Sequence, residues 1–366
     1  MLLIISCAVP ESDFSETHRV PFDPDIYSWK TASWTPFTVS DTISGFAYGT
    51  PGGMDRYVAV ARSGVIGWSD DGDIWHRAVA EDDDPLVPNP FNAQFNAVAW
   101  GGDIFTAVAD DGKVAWSADG ISWTAVGHSG GIHGFGSENI MGIAWGNGVF
   151  VAVGSSANVS RSPDGVDWLG GTISAFGGSQ LNDIAFDSSG GSPAGGRFYI
   201  VGYLGKRGWS DDPSSSNEAN PSTYNWHYRG GEAPFHTNAI RKVTVGRYGS
   251  GIGIGIVFDE WSGKRIAIMN DSDFGATQDN IDDTLDAGNF GNNTINGIAW
   301  GGGNFVAAGT GAMIGWWSGA EPSNNSERFW RADSFIEFQW WSITALAAMN
   351  GRFYAGGIGG KIGYSK

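Results

Sequence analysis

FNAVAWGGDIFTAVADDGKVAWSADGISW, residues 95–123, is followed at residues 140–168 by IMGIAWGNGVFVAVGSSANVSRSPDGVDW. Both stretches are 29 residues long, and the same positions carry apolar, glycine, serine, aspartate and tryptophan residues. Internal repetition of this kind decides the architecture before any single residue is considered. Each unit opens on an apolar run of the type I-x-x-I-A-W and passes through a glycine turn into a second apolar run. A polar turn leads to a third run, VAWS in the first copy, then to Ser-x-Asp-Gly-x-x-Trp and a last run of mixed polarity. Short β-branched and aromatic runs punctuated by Gly, Asn and Asp are strand and turn signals. No stretch carries an extended 3.6-residue amphipathic pattern.

Further copies start at residues 43, 181, 240, 295 and 343, making seven with those at 95 and 140. The copy at 43 has extra residues in its first turn. The copy at 181 carries inserts at 188–196 and 213–223, and the copy at 240 keeps only the strand-turn rhythm. Seven units at a spacing of roughly 40–60 residues, each with four strand signals, predict an all-β, seven-bladed β-propeller with four-stranded blades. The last copy stops at Lys366, where its closing turn should begin. Residues 25–32, DIYSWKTA, resemble DIWHRA at 73–78, so residues 27–36 are expected to supply the outer strand of the last blade. That strand would cover an edge that a closed ring must not leave open. On this reading residues 27–366 form one propeller and residues 1–26 an N-terminal arm.

The Ser-x-Asp-Gly-x-x-Trp turn has a physical logic. The carboxylate of Asp71, Asp119 or Asp164 can accept N–H groups of its own turn, and the following glycine supplies permissive dihedrals. Trp75, Trp123 and Trp168 then serve as large apolar plugs between blades. These residues resemble the Asp-box of the sialidase-like repeat family, one residue shorter than that family's Ser-x-Asp-x-Gly-x-x-Trp. The wider pattern, IAWGNGVFVAVG followed by SPDGVDW, resembles the bacterial repeat propellers grouped with sialidases and photosystem assembly factors. The resemblance covers residues 43–366. It implies that the Asp-box lies on the turn between third and fourth strands, away from the ligand face, so these aspartates and tryptophans are structural. It also raises sialidase activity, which would need an arginine triad, a tyrosine–glutamate pair and an aspartate acid/base. The family's Tyr/Phe-Arg-Ile-Pro arginine motif has no match in this chain.

Composition narrows the partners. Twenty-one basic residues stand against 39 acidic ones, giving a net charge of −18 and a pI near 4.5. Such a balance opposes nucleic-acid binding, which requires clustered Lys and Arg. A single cysteine excludes an internal disulfide framework, and no apolar run is long enough to span a bilayer. The start, MLLIISCAVPES, places Ile4-Ile5-Ser6-Cys7 in an arrangement that resembles a bacterial lipobox, with lipidation of Cys7 as the one route to a membrane. An apolar arm with an incidental cysteine is the alternative.

Recognition is expected on the face built from the turns between second and third strands and the loops between blades, since loops on a rigid scaffold carry function. Ligand-binding candidates there are Arg62, Asp110, Asp111, Lys113, His133, Arg207, Arg241, Trp340 and Trp341. Aromatic side chains Phe91, Phe135, Phe235 and Phe338 belong to the same loops and could anchor a glycan or a protein. A glycosidase would draw on paired carboxylates among Asp110, Asp111, Asp183, Glu232 and Asp259. Calcium is the one metal suggested, by the acidic run at residues 81–84 and by Asp271, Asp273, Asp279, Asp282 and Asp283. His128 and His133 are the one histidine pair that shares a loop. The expectation is a non-catalytic binding or scaffolding ring without a cofactor, acting outside the cytoplasm on a cell surface or a virion. A glycoside hydrolase is the alternative.

Overall fold

The computed structural model describes residues 3–4, 7–8, 29–80, 91, 93–126, 131–188, 196–210, 226–230, 235, 237–248, 251–260, 263–270, 274, 284–285, 293–317, 331–334 and 342–365. Seven antiparallel sheets follow one another along the chain, each with the strand order innermost to outermost that the repeat predicts. Their innermost strands are Ile43–Gly49, Phe95–Gly101, Ile140–Gly146, Leu181–Asp187, Ile240–Tyr248, Ile295–Gly301 and Ile343–Met349. Each packs against the innermost strand of the next blade, and that of blade 7 packs against blade 1, so the ring closes. The fold is a seven-bladed β-propeller.

Closure of the last blade uses the N-terminal strand. Trp29–Thr31 pairs antiparallel with Ile362–Ser365, Trp29 opposite Ser365 and Thr31 opposite Gly363. The segment that follows is pinned to blade 1: Asp73 accepts from Lys30 Nζ at 3.1 Å, Ser33 N at 2.9 Å and Ser33 Oγ at 2.8 Å. Blade 2 gains a fifth strand, Val79–Ala80, which runs parallel to Ser122–Val126 and links the outer edges of two neighbouring blades.

The Ser-x-Asp-Gly-x-x-Trp turn has one geometry in all three clear copies. In blade 2, Gly120 N–H donates to Ser117 Oγ at 2.8 Å, and Asp119 Oδ1 accepts the N–H groups of Ile121 and Ser122 at 2.8 and 2.9 Å. Trp123 Nε1 donates back to Gly120 O at 3.0 Å, and its ring is fully buried. The turn glycine is also a docking point. A Cβ on Gly72 would lie 2.0 Å from the Tyr354 hydroxyl of blade 7, and one on Gly120 would lie 2.8 Å from Arg56 of blade 1. Asp71, Asp119 and Asp164 thus hold turns that key blades 1, 2 and 3 each into the blade before it.

Inside the ring, a short hairpin pairs Leu3–Ile4 with Cys7–Ala8 and lies against innermost strands of blades 2, 3, 4, 6 and 7.

Candidate functional site

Every innermost strand carries a β-bulge at its second residue, where the register against the next strand slips by one. A bulge leaves one residue unpaired and re-aims its side chain. The seven bulged residues are Ser44, Asn96, Met141, Asn182, Arg241, Asn296 and Thr344, and together they ring one mouth of the central channel. Five of them do the same thing. Ser44 Oγ donates to Phe95 O at 2.6 Å, Asn96 Nδ2 to Ile140 O at 2.8 Å, and Asn182 Nδ2 to Ile240 O at 2.7 Å. Asn296 Nδ2 donates to Ile343 O at 2.8 Å and Thr344 Oγ1 to Ile43 O at 2.6 Å. Each acceptor is the first residue of the next blade's innermost strand, so the bonds form an almost complete girdle from blade to blade.

Met141 and Arg241 break the girdle. Met141 has no donor to offer. Arg241 turns back toward the preceding blade, where Nη1 donates to Tyr203 Oη at 3.1 Å and the guanidinium carbon lies 5.0 Å from the Tyr203 ring centre. Arg62, exposed on the turn after the second strand of blade 1, and Lys242 complete the cationic lining of the mouth. The cavity has a volume of about 310 Å³, and its other walls are mainly amide, hydroxyl and backbone groups. Three cations around one opening are notable on a chain of net charge −18, because a small positive concavity on an acidic protein focuses the field on an approaching anion.

Below the mouth the channel narrows. The third residues of the innermost strands are Gly45, Ala97, Gly142, Gly297 and Ala345 in five blades, and Asp183 and Lys242 in adjacent blades 4 and 5. Lys242 Nζ lies 3.9 Å from Asp183 Oδ1, while Asp183 Oδ2 accepts the Val243 N–H at 3.1 Å. Burial pushes the Asp183 carboxyl up, against the opposing pull of the Lys242 charge and of the N–H groups of Val243 and Ile184.

The other sequence candidates take different positions. Arg207 is buried, not on the face: Nε donates to Phe274 O at 2.8 Å and the guanidinium lies over Phe235. It begins a strand rather than a turn, which aims its side chain between blades. Asp110 accepts from Asn96 Nδ2 at 2.7 Å and so supports the girdle from the turn side. Asp111 is exposed with Lys113 Nζ 3.7 Å away, and its φ of 58° suits the tip of a tight turn. His133 Nδ1 accepts the Gly170 N–H at 3.0 Å, tying an inter-blade loop to the outer strand of blade 3. Phe135 and Phe235 are buried, which removes them from any aromatic docking face, and Phe91 packs edge-on against Phe95. Trp340, Trp341, Phe338, His128, Glu232 and the acidic clusters at 81–84 and 271–283 lie outside the described residues, as does the side chain of Asp259. Among the described residues no group of three His, Cys, Asp or Glu side chains is placed to hold a metal ion.

The girdle is masked in the sequence because the innermost strand reads as an apolar run. The signal was present: the second slot of I-x-x-I-A-W is Ser, Asn, Asn, Asn or Thr in five copies.

Among solved structures the chain is similar to YCF48 from Cyanidioschyzon merolae, at 15% identity and a TM-score of 0.60, over 92% of this chain and 98% of that one. A second, YCF48 bound to D1 peptide, matches at 12% identity and TM-score 0.56, over 94% and 98%. The WD40 β-propeller domain of Doa1 matches at 10% identity and TM-score 0.57, over 93% and 97%. At these identities the likeness is one of fold. No family model matches the sequence, and no curated protein matches it either.

Proposed function

We propose that this propeller is a non-catalytic binding module that takes an acidic segment of a partner protein at the mouth of its central channel. The observation that carries the reading is the convergence of Arg62, Arg241 and Lys242 on one polar cavity in a strongly acidic chain. A cavity of about 310 Å³ lies at the small end of ligand sites, enough for one or two side chains of a peptide and small for an extended glycan. Arg241 is oriented by its hydrogen bond to Tyr203, and a guanidinium suits a carboxylate better than a neutral group. The fold neighbour described as bound to D1 peptide supports peptide recognition on a ring of this shape. We place the protein outside the cytoplasm, on a cell surface or a virion.

Glycoside hydrolysis is the weaker reading. It needs two carboxylates flanking one bond. Among the described residues lining the mouth and the neck, Asp183 is the one carboxylate, and Lys242 faces it. An arrayed random-peptide library and a glycan array, screened with the same protein and with hydrolysis read on every hit, separate the readings. Acidic peptides as the dominant hits, weakened by salt, are expected. Glycan hits that are cleaved would overturn the proposal, and glycan hits retained intact would replace the partner class.

A further inference from the structure

The third residue of the innermost strand is Gly or Ala in five blades, and those blades close without a charge there. Only blades 4 and 5 depart from this, with Asp183 and Lys242. As a structural bond the pair is poor. The Asp183 side chain is 6% exposed, and burying a carboxylate is costly unless its cation is close. Lys242 Nζ stands 3.9 Å from Asp183 Oδ1, at the outer limit of an ion pair, with 29% of its side chain exposed.

The two partners differ in freedom. Asp183 is tied to its place, because Oδ2 accepts the Val243 N–H at 3.1 Å. Lys242 has a flexible four-carbon stem and borders both the neck and the cationic mouth. We infer that Asp183 is a positioning residue of the mouth: its carboxylate holds Lys242 in place of a ligand's, and an acidic segment binds by taking Lys242 over from it. This rests on the reading of the mouth as a site for acidic segments, and it makes Asp183 an internal competitor that weak anions do not displace.

The exchange moves a proton. Burial already pushes the Asp183 carboxyl up, and the Lys242 charge is the leading influence against it. Once Lys242 turns to a ligand, Asp183 is left buried without a cation, which favours its neutral form. Protons are then taken up wherever the pH lies between the values of the free and bound states, and affinity rises as pH falls through that interval. No other group on the packed elements substitutes for Lys242. The strands and turn of blade 3 against Leu181–Asp187 carry no titratable residue. In the second strand of blade 4, Arg197 pairs opposite Asp187 and Tyr199 opposite Ala185, away from Asp183. In blade 5, Arg241 turns to Tyr203, and Arg247 and Tyr248 lie at the other end of the strand. Cys7 is the one titratable residue of the short strand Cys7–Ala8.

The probe is hexaglutamate blocked at both ends, whose carboxylates stay ionised between about pH 6 and about pH 8. Calorimetry in two buffers of different ionisation enthalpy counts the protons taken up over that range. The parent should take up a fraction of a proton per peptide, and Asp183→Asn none. Asp183→Asn should also bind about threefold or more tighter at about pH 8, and that gain should vanish when Lys242→Met is already present. Binding without proton uptake by the parent, uptake retained by Asp183→Asn, or the same gain with and without Lys242 would overturn this inference and leave the acidic-segment reading standing. Failure of every one of these proteins to bind hexaglutamate would overturn both.

Discussion

The hydroxyl of Thr344 donates a 2.6 Å hydrogen bond to the carbonyl of Ile43, joining the last blade to the first across 301 residues of sequence. It is one of five equivalent bonds, each made by a bulged residue to the first residue of the next blade. Replacing Thr344 with Val keeps the shape but leaves the Ile43 carbonyl without this donor, at a cost of about 1–2 kcal/mol. Met141 offers the converse. Met141→Asn would place an amide at the interrupted junction with blade 4 and should raise stability by up to about 1 kcal/mol. Denaturant midpoints of the two variants check the girdle: opposite shifts are expected, and equal shifts contradict it.

The N-terminal strand is expected to be part of the folding unit. Deleting residues 1–36 removes the outer strand of blade 7 and the Lys30 and Ser33 contacts to Asp73. Thermal unfolding should then occur at a sharply lower temperature, whereas loss of residues 1–9 should leave blade closure intact. An unchanged melting point for the longer deletion would show that the ring closes without it.

Acid stability should follow the turn aspartates. Burial alone would raise Asp71, Asp119 and Asp164, but backbone N–H donors and the neighbouring serine hydroxyls outweigh it, and all three end below the usual carboxylate range. A depressed folded value contributes stability that is present above the unfolded pKa of about 3.9 and lost as pH falls through the folded value. Asp119→Asn should therefore narrow the stability gap between about pH 6 and about pH 2.5 relative to the parent. Urea unfolding at both pH values measures it.

Asp183 carries the opposite sign. Its folded value is raised by burial, so its contribution is complete below about pH 3.9 and is lost as pH rises through the folded value. Asp183→Asn removes that loss. The variant should match or exceed the parent in stability at about pH 8 and approach it at about pH 3.5. A variant that is much less stable at the higher pH would show that the Lys242 pairing outweighs desolvation.

Local features of the sequence carried through to structure, and non-local ones did not. The turn around Asp119 was legible because donors, acceptor and ring all lie within seven residues. Closure by Trp29–Thr31 was legible because the last copy visibly lacks a strand. The girdle was not, since its partners are the first residues of neighbouring blades and nothing in one repeat names them. Arg207 stands near a turn, which by spacing alone puts it on the face, yet a shift of one residue along a strand reverses the side a residue faces. Arg62 and Arg241 each stand out singly in the sequence. Their convergence with Lys242 depends on ring curvature, which spacing alone does not encode.

The central claim is that the channel mouth recognises an acidic partner segment through its cations. Its most direct measurement is titration calorimetry of the strongest acidic peptide hit against the parent protein, Arg241→Ala and Arg62→Ala, with melting temperatures taken alongside. Each substitution should weaken binding about tenfold or more, consistent with loss of a charge-assisted contact, and leave the melting temperature within about 2 °C of the parent. Unchanged affinity in both variants would contradict the claim.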